Sequence, residues 1–413
     1  MSAADAPAEN GLQLDVRGLP PEDAVHQLLE KAIEMKASDL FFCTNEANVT
    51  ILVRHLGMLR PITQVPLEYG RRCMAHVKAI AGMNVTERRR PLDGRRVFRR
   101  DNGAVIDLRI NTIPTLYGED FTLRILRRTA QSLQLDQLGL LRHEYNRLLN
   151  MMQSPSGLIL VTGPTGSGKT TTLYACLCFL HNGERKLNTI EDPIEYSLEG
   201  IRQSQVNPRL NIGFPELLRS VLRQSPDVIM IGEIRDPLTA ETAVRAANSG
   251  HLVMATLHAP IAAGAVQSML ALGVHPHFLA SSLLGSIAQR LLRVLCPHCK
   301  VSFDLDEPLD TFTEVQRWLE PGQGKQLFGP GGCERCHGSG YIDRTGVFEV
   351  LTVTPAVRKL ILARQPLQAV RHKAMEEGMI EFRQAALLKV AQGQTTVEEV
   401  FRSVPTEYLA LEE

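Results

Sequence analysis

The chain has 413 residues, of which 44% are apolar and 22% charged, enough sequence for two or three globular domains and too apolar for a disordered chain. Its 45 Lys and Arg balance 45 Asp and Glu, so no global field gathers a polyanion, and 5% aromatic residues offer few stacking platforms. Both figures argue against a nucleic-acid translocase, so no nucleic-acid partner is expected. No apolar run reaches the roughly 18 residues of a membrane span. The longest candidate, 267–295, is interrupted by His275, Pro276, His277, Gln289 and Arg290. The opening MSAADAPAENG is polar and acidic, unlike a secretory leader, and predicts a disordered tail over 1–20 in a cytoplasmic protein. Cys43, Cys73, Cys176 and Cys178 show no framework-like spacing, which fits a reducing compartment.

Between Pro21 and Lys36, apolar residues fall at Ala24, Val25, Leu28, Leu29, Ala32 and Ile33, the spacing of one buried helical face. This helix opens an α+β N-terminal domain over 21–127. Residues 49–63 and 95–127 read as short strands punctuated by Gly57, Gly94, Gly103 and Gly118. A polar stretch, 128–134, reads as a linker. From 135 to 413 the pattern becomes apolar strand, Gly-rich loop and helix in succession, which predicts an α/β domain with a parallel sheet. Within it lie a Cys/Gly/Pro-rich insert over 295–341 and a helical subdomain over 343–413.

Leu158–Thr162 reads as a buried strand that runs into Gly163-Pro164-Thr165-Gly166-Ser167-Gly168-Lys169-Thr170, followed by a helix from Thr171 to Leu180. This is the phosphate-loop pattern in its confirming strand-and-helix context. Glycines let backbone N–H groups close around a β-phosphate at a helix N-terminus; Lys169 reaches the β and γ oxygens of ATP, and Thr170 offers a hydroxyl to Mg²⁺. A second apolar strand, Val228–Ile231, delivers Gly232-Glu233-Ile234-Arg235-Asp236. Glu233 at such a strand end is placed to orient an attacking water, although a plain ion pair with Arg235 is the competing reading. Leu187–Ile190 runs into Glu191-Asp192, carboxylates that order Mg²⁺ waters or form a solvated acidic turn. Leu252–Thr256 leads to His258, a structural histidine or a sensor of the γ-phosphate.

Cys296-x-x-Cys299 and Cys333-x-x-Cys336 form two knuckles, the spacing of a closed tetrahedral Zn²⁺ site. Two disulfides are the alternative, and they would need an oxidising compartment. A closed site stabilises and does not catalyse. His298 and His337 lie beside the knuckles as substitute ligands, though four thiolates already fill the coordination sphere.

Through these linked motifs the chain resembles the ATPase family of type II secretion and type IV pilus assembly (GspE/PulE and PilB-like), from about Pro21 to Val404. NTIEDPIEY at 188–196 is similar to the family's Asp box, DVIMIGEIRD at 227–236 to its atypical Walker B segment, and GHLVMATLH at 250–258 to its His box. The resemblance implies a RecA-like P-loop ATPase core, catalytic roles for Glu233, Glu191 and His258, and a homohexamer acting with an inner-membrane platform protein. DLRINTIPTLYGEDFTLRIL at 107–126 is similar to the segment that carries arginines over the nucleotide, which would make them Arg109 and Arg124. Read alone, both are solvated strand residues. A tetracysteine insert is typical of assembly and export motors, so the resemblance favours these over retraction or conjugation-type motors; a non-hydrolysing ATP-binding scaffold is the alternative from another class. The sequence departs from the family at Ser38-Asp39-Leu40-Phe41-Phe42 and at Ala259-Pro260 after the His box. Larger members carry a further N-terminal domain that docks on membrane partners, which a chain of 413 residues is expected to be too short to hold. Peripheral attachment to the inner membrane is therefore expected to run through other surfaces.

Overall fold

Alternation along Asn48–His55 puts Val49, Ile51 and Val53 on one side of a strand, all 1% exposed or less, and this face seeds the first of two sheets. The computed structural model describes residues 14–127, 134–304 and 312–409. Residues 1–13 of the expected tail and 128–133 of the expected linker lie outside the described residues. The remainder of the tail is a correction: Val16 is fully buried, Leu14 N donates to Ile62 O at 3.2 Å, and Tyr69 Oη donates to the Val16 carbonyl at 2.7 Å. An apolar residue in a polar stretch gave no periodicity to read, yet it fills the same core as the first helix.

The chain divides into two units. The first contains residues up to 130 together with 295–301 and 330–343. Its antiparallel strands are β1 (Asp39–Thr44), β2 (Asn48–His55), β3 (Met58–Pro66), β4 (Leu92–Arg99), β5 (Val105–Thr115) and β6 (Gly118–Arg127), in the order β3-β2-β1-β6-β5-β4. Helices Pro21–Glu34 and Leu67–Ile80 share a core with the sheet's inner face, including Leu28, Val77, Phe42 and Leu123.

The second unit holds β7 (Gly157–Thr162), β8 (Leu187–Glu191), β9 (Arg202–Gln205), β10 (Val228–Ile231), β11 (Leu252–Leu257) and most of β12 (Leu283–Leu295). It also takes the short pair β13 (Val301–Asp304) and β14 (Gln326–Gly329) for the most part, and most of β15 (Tyr341–Thr352). The seven-stranded sheet runs β15-β12-β7-β11-β10-β8-β9. Strands β7, β8, β10 and β11 are buried at every position, as parallel strands with helices on both faces must be. The core of this mixed α/β fold therefore lies on both sides of the sheet.

One strand, β15, corrects the expected organisation, and another, β12, was not anticipated. The run 283–295 is strand β12, and the start of the expected helical subdomain, up to Thr352, is strand β15; helices follow at Pro355–Leu362, Leu367–Glu376, Phe382–Ala391 and Val397–Ser403. In β12 the polar residues Ser286, Gln289 and Arg290 are buried, so the strand lacks both the alternation of a half-exposed strand and an unbroken apolar run. The insert is also divided: 302–329 belongs with the second unit, and the two cysteine knuckles belong with the first.

Candidate functional site

Parallel pairing of β7, β11, β10 and β8 brings their carboxyl ends to one edge of the second sheet, where loops from successive strands converge. The loop after β7 is set by backbone geometry. Gly163 has φ 142°, and a Cβ there would sit 2.5 Å from the Gln289 carbonyl and 2.7 Å from Ser167 Oγ. Gly166 and Gly168 adopt φ 79° and 90°, so the turn into the helix Lys169–Leu180 needs residues that tolerate positive φ. Lys169 folds over its own loop, Nζ donating to the carbonyls of Gly163 at 2.9 Å and Pro164 at 3.1 Å. Burial depresses its pKa, and the nearby Glu233 carboxylate opposes that shift. Ser167 Oγ is buried with no partner among the described residues, an unanswered hydroxyl facing a loop shaped for oxyanions. Pro164, Thr165 and Gly166 are exposed, and Thr170 is half-buried at the first turn of the helix.

At the end of β10, Glu233 stands between His258 and Arg235. His258 Nε2 lies 2.7 Å from its Oε1, and Arg235 Nη2 pairs with Oε2. The carboxylate side chain is 15% exposed, against 52% for His258 and 63% for Arg235. Burial alone would raise its pKa; the hydrogen bond and charge of Arg235, with His258 and Lys169, outweigh burial and hold it below the ordinary carboxylate range. The ion pair with Arg235 is therefore present, and His258 adds a second contact. Glu233 does pair with Arg235, and it also faces the lysine of the phosphate loop.

Glu191, at the end of β8, is 2% exposed and fully engaged. Tyr174 Oη donates to Oε2, while Thr189 Oγ1 at 2.5 Å and Gln203 Nε2 at 3.0 Å donate to Oε1. Burial and the adjacent Glu191 push the Tyr174 phenol up. The carboxylate ties the helix after the phosphate loop to β8 and β9. Asp236, by contrast, is the cap of helix Pro237–Asn248, accepting from Thr239 N at 2.8 Å.

Three supports escaped the sequence reading. Gln289 of β12 is 1% exposed; its Nε2 donates to the Ser167 carbonyl at 2.6 Å and its Oε1 accepts from Thr172 Oγ1 at 2.8 Å, pinning the phosphate loop from the neighbouring strand. Thr162 Oγ1 accepts from Ala259 N at 2.6 Å and donates to Ala259 O at 2.7 Å, fixing the segment after His258. Thr256 Oγ1 donates to Gly232 O at 2.5 Å, which ties β11 to the turn that carries Glu233. A buried glutamine in an apolar run was the one signal available for Gln289.

The cysteines form a second, separate cluster. All four sulfurs lie within 4.8 Å of one another, with Sγ pairs at 3.9 Å (Cys296 and Cys333), 3.7 Å (Cys299 and Cys336) and 3.7 Å (Cys333 and Cys336). A tetrahedron with Zn–S near 2.3 Å has edges of about 3.8 Å, so the set fits zinc, whereas a disulfide needs about 2.05 Å. Backbone N–H groups of Gly332, Cys333 and Gly340 point at sulfur at 3.2 Å, as thiolates require. His298 Nε2 lies 2.7 Å from Arg335 Nη1, and His337 turns its ring to His55, so the four sulfurs are the residues that could hold the metal.

Arg109 and Arg124 belong to the first unit, directly opposite each other on β5 and β6. Arg124 Nε lies 3.2 Å from Asp39 Oδ1, so Asp39, in the segment that departs from the family, orients one of the two arginines.

A family profile described as "Type II/IV secretion system protein" matches residues 18–402. The type II secretion system protein E of Dickeya dadantii is 42% identical over 378 residues, which cover 92% of this chain and 74% of the relative. The type IV pilus assembly ATPase PilB of Pseudomonas aeruginosa is 40% identical over 403 residues, 97% of this chain and 70% of that one. Among solved structures, the Legionella pneumophila ATPase DotB has a TM-score of 0.70 at 23% identity, covering 94% of this chain and 97% of its own, a likeness of fold alone. The pilus retraction motor PilT with bound ADP has a TM-score of 0.59 at 26% identity, covering 91% and 96%. A profile match spanning nearly the whole chain, with relatives at 40% identity or more, shows that this chain belongs to the ATPase family of type II secretion and type IV pilus assembly.

Proposed function

We propose that the chain is a Mg²⁺-dependent P-loop ATPase that works as a homohexameric motor in type II secretion or in pilus assembly, bound peripherally to the cytoplasmic face of the inner membrane through a platform protein. The observation that carries it is the meeting of Lys169, Glu233 and His258 at one sheet edge. Bound ATP brings the phosphate anhydride whose cleavage releases energy, and Mg²⁺ screens the phosphate charge. With nucleotide bound, Lys169 would exchange the Gly163 and Pro164 carbonyls for phosphate oxygens, Ser167 would offer its hydroxyl to the phosphates, and Thr170 would be the residue to hold Mg²⁺. Glu233, held ionised by its cations, accepts a hydrogen bond from the attacking water, and His258 reports the γ-phosphate to Glu233. Glu191 acts as a positioning residue through Tyr174 and Gln203.

Arg109 and Arg124 add cations from the first unit to Lys169 and Arg235 of the second, delivered as the ring moves. The tetracysteine cluster, with its fit to zinc, supports assembly or export over retraction. Among the described residues no helix is long and apolar enough to cross a membrane, which is compatible with peripheral attachment. ATP turnover by the full chain tests the proposal. Lys169→Ala should weaken ATP binding itself. Arg109→Ala or Arg124→Ala should keep binding and lose roughly 10³- to 10⁵-fold in turnover. Turnover per chain should also rise with protein concentration as rings assemble. Turnover independent of concentration and untouched by both arginine changes would sink the motor proposal.

A further inference from the structure

Glu349 of β15 is 1% exposed, and both of its carboxylate oxygens are engaged by helix ends. Oε2 accepts from Ala262 N at 3.0 Å, and Oε1 accepts from Phe382 N at 3.2 Å. These are the first residues of helices Ala262–Ala271 and Phe382–Ala391, and neither helix is capped by the side chain that precedes it. Ile261 has no polar group to offer, and Glu381 turns instead to Arg371 Nη2 at 2.7 Å. One carboxylate therefore serves the free N–H groups and positive ends of two helices that lie far apart in the chain. The neighbouring helices Pro355–Leu362 and Val397–Ser403 use their own Thr354 and Thr396 as caps, which avoids the cost of burying a carboxylate. The place where the first helix starts gives that cost a use. Ala262 follows closely on His258, which lies 2.7 Å from Glu233. A second buried side chain spans the same two elements. Arg290 of β12, 8% exposed, donates from Nη2 to the Pro260 carbonyl at 3.3 Å and sits 5.7 Å from the centroid of the Phe382 ring. Ser286 Oγ holds the Ala262 carbonyl at 2.8 Å. Ala262, Ser286 and Phe382 are fully buried, and a close-packed interior passes a displacement on rather than absorbing it.

We propose that Glu349 is a positioning residue of the ATPase site: it fixes the segment after His258 and joins it to helix Phe382–Ala391, so that a change at the nucleotide edge reaches the C-terminal helices. This rests on the role given to His258 above.

The test uses the full chain with E349Q, T354A, H258A and the double variant E349Q/H258A, each checked by circular dichroism and melting. E349Q keeps the shape but replaces one accepting oxygen with an amide that cannot accept. Burial pushes the Glu349 carboxyl up to about 7 against the pull of the two N–H groups and Arg371, so a neutral isostere suits the site. E349D, too short to reach both helices, stands in should E349Q melt early. T354A is the structural control: it removes a cap in the same subdomain, where Thr354 Oγ1 accepts from Val357 N at 3.2 Å, without touching the segment after His258. For E349Q we expect ATP affinity within about threefold of the parent and a loss of roughly tenfold in kcat, the effect of a misplaced group rather than a missing one. T354A should keep kcat within about twofold, and the double variant should stay within about twofold of H258A, because both changes act through one segment. Hydrogen exchange supplies a readout besides activity. ADP with aluminium fluoride should slow exchange across 382–391 in the parent and in T354A, but not in E349Q. If H258A loses turnover while E349Q matches T354A, Glu349 is a helix cap only and the role of His258 stands. Losses that multiply in the double variant, or an exchange response retained in E349Q, would likewise overturn the proposal. If H258A turns over normally, the role of His258 fails, and this one falls with it.

Discussion

Replacing Gln289 by Met keeps the side chain's bulk and length while removing both hydrogen bonds that join β12 to the phosphate loop. The Ser167 carbonyl loses its donor at 2.6 Å, and the Thr172 hydroxyl loses its acceptor at 2.8 Å. Ser167, Thr172 and Gln289 are 4%, 1% and 1% exposed, so water does not replace what is lost. An orphaned buried polar group costs about 1–3 kcal/mol, which for two groups gives about 2–4 kcal/mol after partial relaxation. In a unit of this size each kcal/mol moves the melting temperature by about 2–4 °C, so a fall of roughly 4–16 °C is expected. The same loosening frees the loop from its pinned shape, and ATP affinity should drop by about tenfold as binding must order it again. Thermal melting with and without Mg-ATP, and titration with a fluorescent nucleotide, measure the two effects. Thr172→Val should reproduce part of the loss, and the double variant should fall short of the sum, because both changes break one network. An unchanged melting temperature together with unchanged ATP affinity would refute the view that β12 supports the phosphate loop.

Glu233→Gln should leave ATP binding intact and reduce hydrolysis by roughly 10²- to 10⁴-fold. Because its neighbours hold the Glu233 carboxyl below the ordinary range, the carboxylate stays ionised through that range and is lost only as pH falls below it; the parent's rate profile should show no acid limb from Glu233 between pH 5 and 8, and a limb there that Glu233→Gln abolishes would contradict the assignment. Burial pushes Glu144 up to about 8, so the folded state favours its protonated form and the stability this group gives declines as pH rises from about 4.5 toward 8. Glu144→Gln, neutral at every pH, should therefore gain in melting temperature relative to the parent between pH 5 and pH 8; a difference that does not change with pH would rule this out. For the cysteine cluster, metal analysis of reduced protein should find about one zinc per chain, and Cys333→Ser should lose the metal while keeping much of the basal ATPase activity, since a closed site takes no part in hydrolysis. Zinc-free parent protein with full stability would remove the cluster from consideration as a metal site.

The phosphate loop was legible because its chemistry is local: glycines with positive φ, a lysine and a hydroxyl must follow one another in order, and a buried strand must precede them. The paired cysteine knuckles were legible for the same reason, as was the all-apolar pattern of the parallel strands. What sequence alone left open depends on partners distant along the chain. Whether Glu233 is paired, poised or both was decided by His258 and Arg235 arriving at 2.7 Å or less on two different turns. Gln289 looked like an interruption of an apolar run, and only the pairing of β12 with β7 shows it holding a loop 122 residues away. Likewise, Arg109 and Arg124 read alone as solvated strand residues. Strand register alone places Arg109 opposite Arg124 and Arg124 opposite Asp39, because in an antiparallel sheet a shift of one residue moves a side chain to the opposite face.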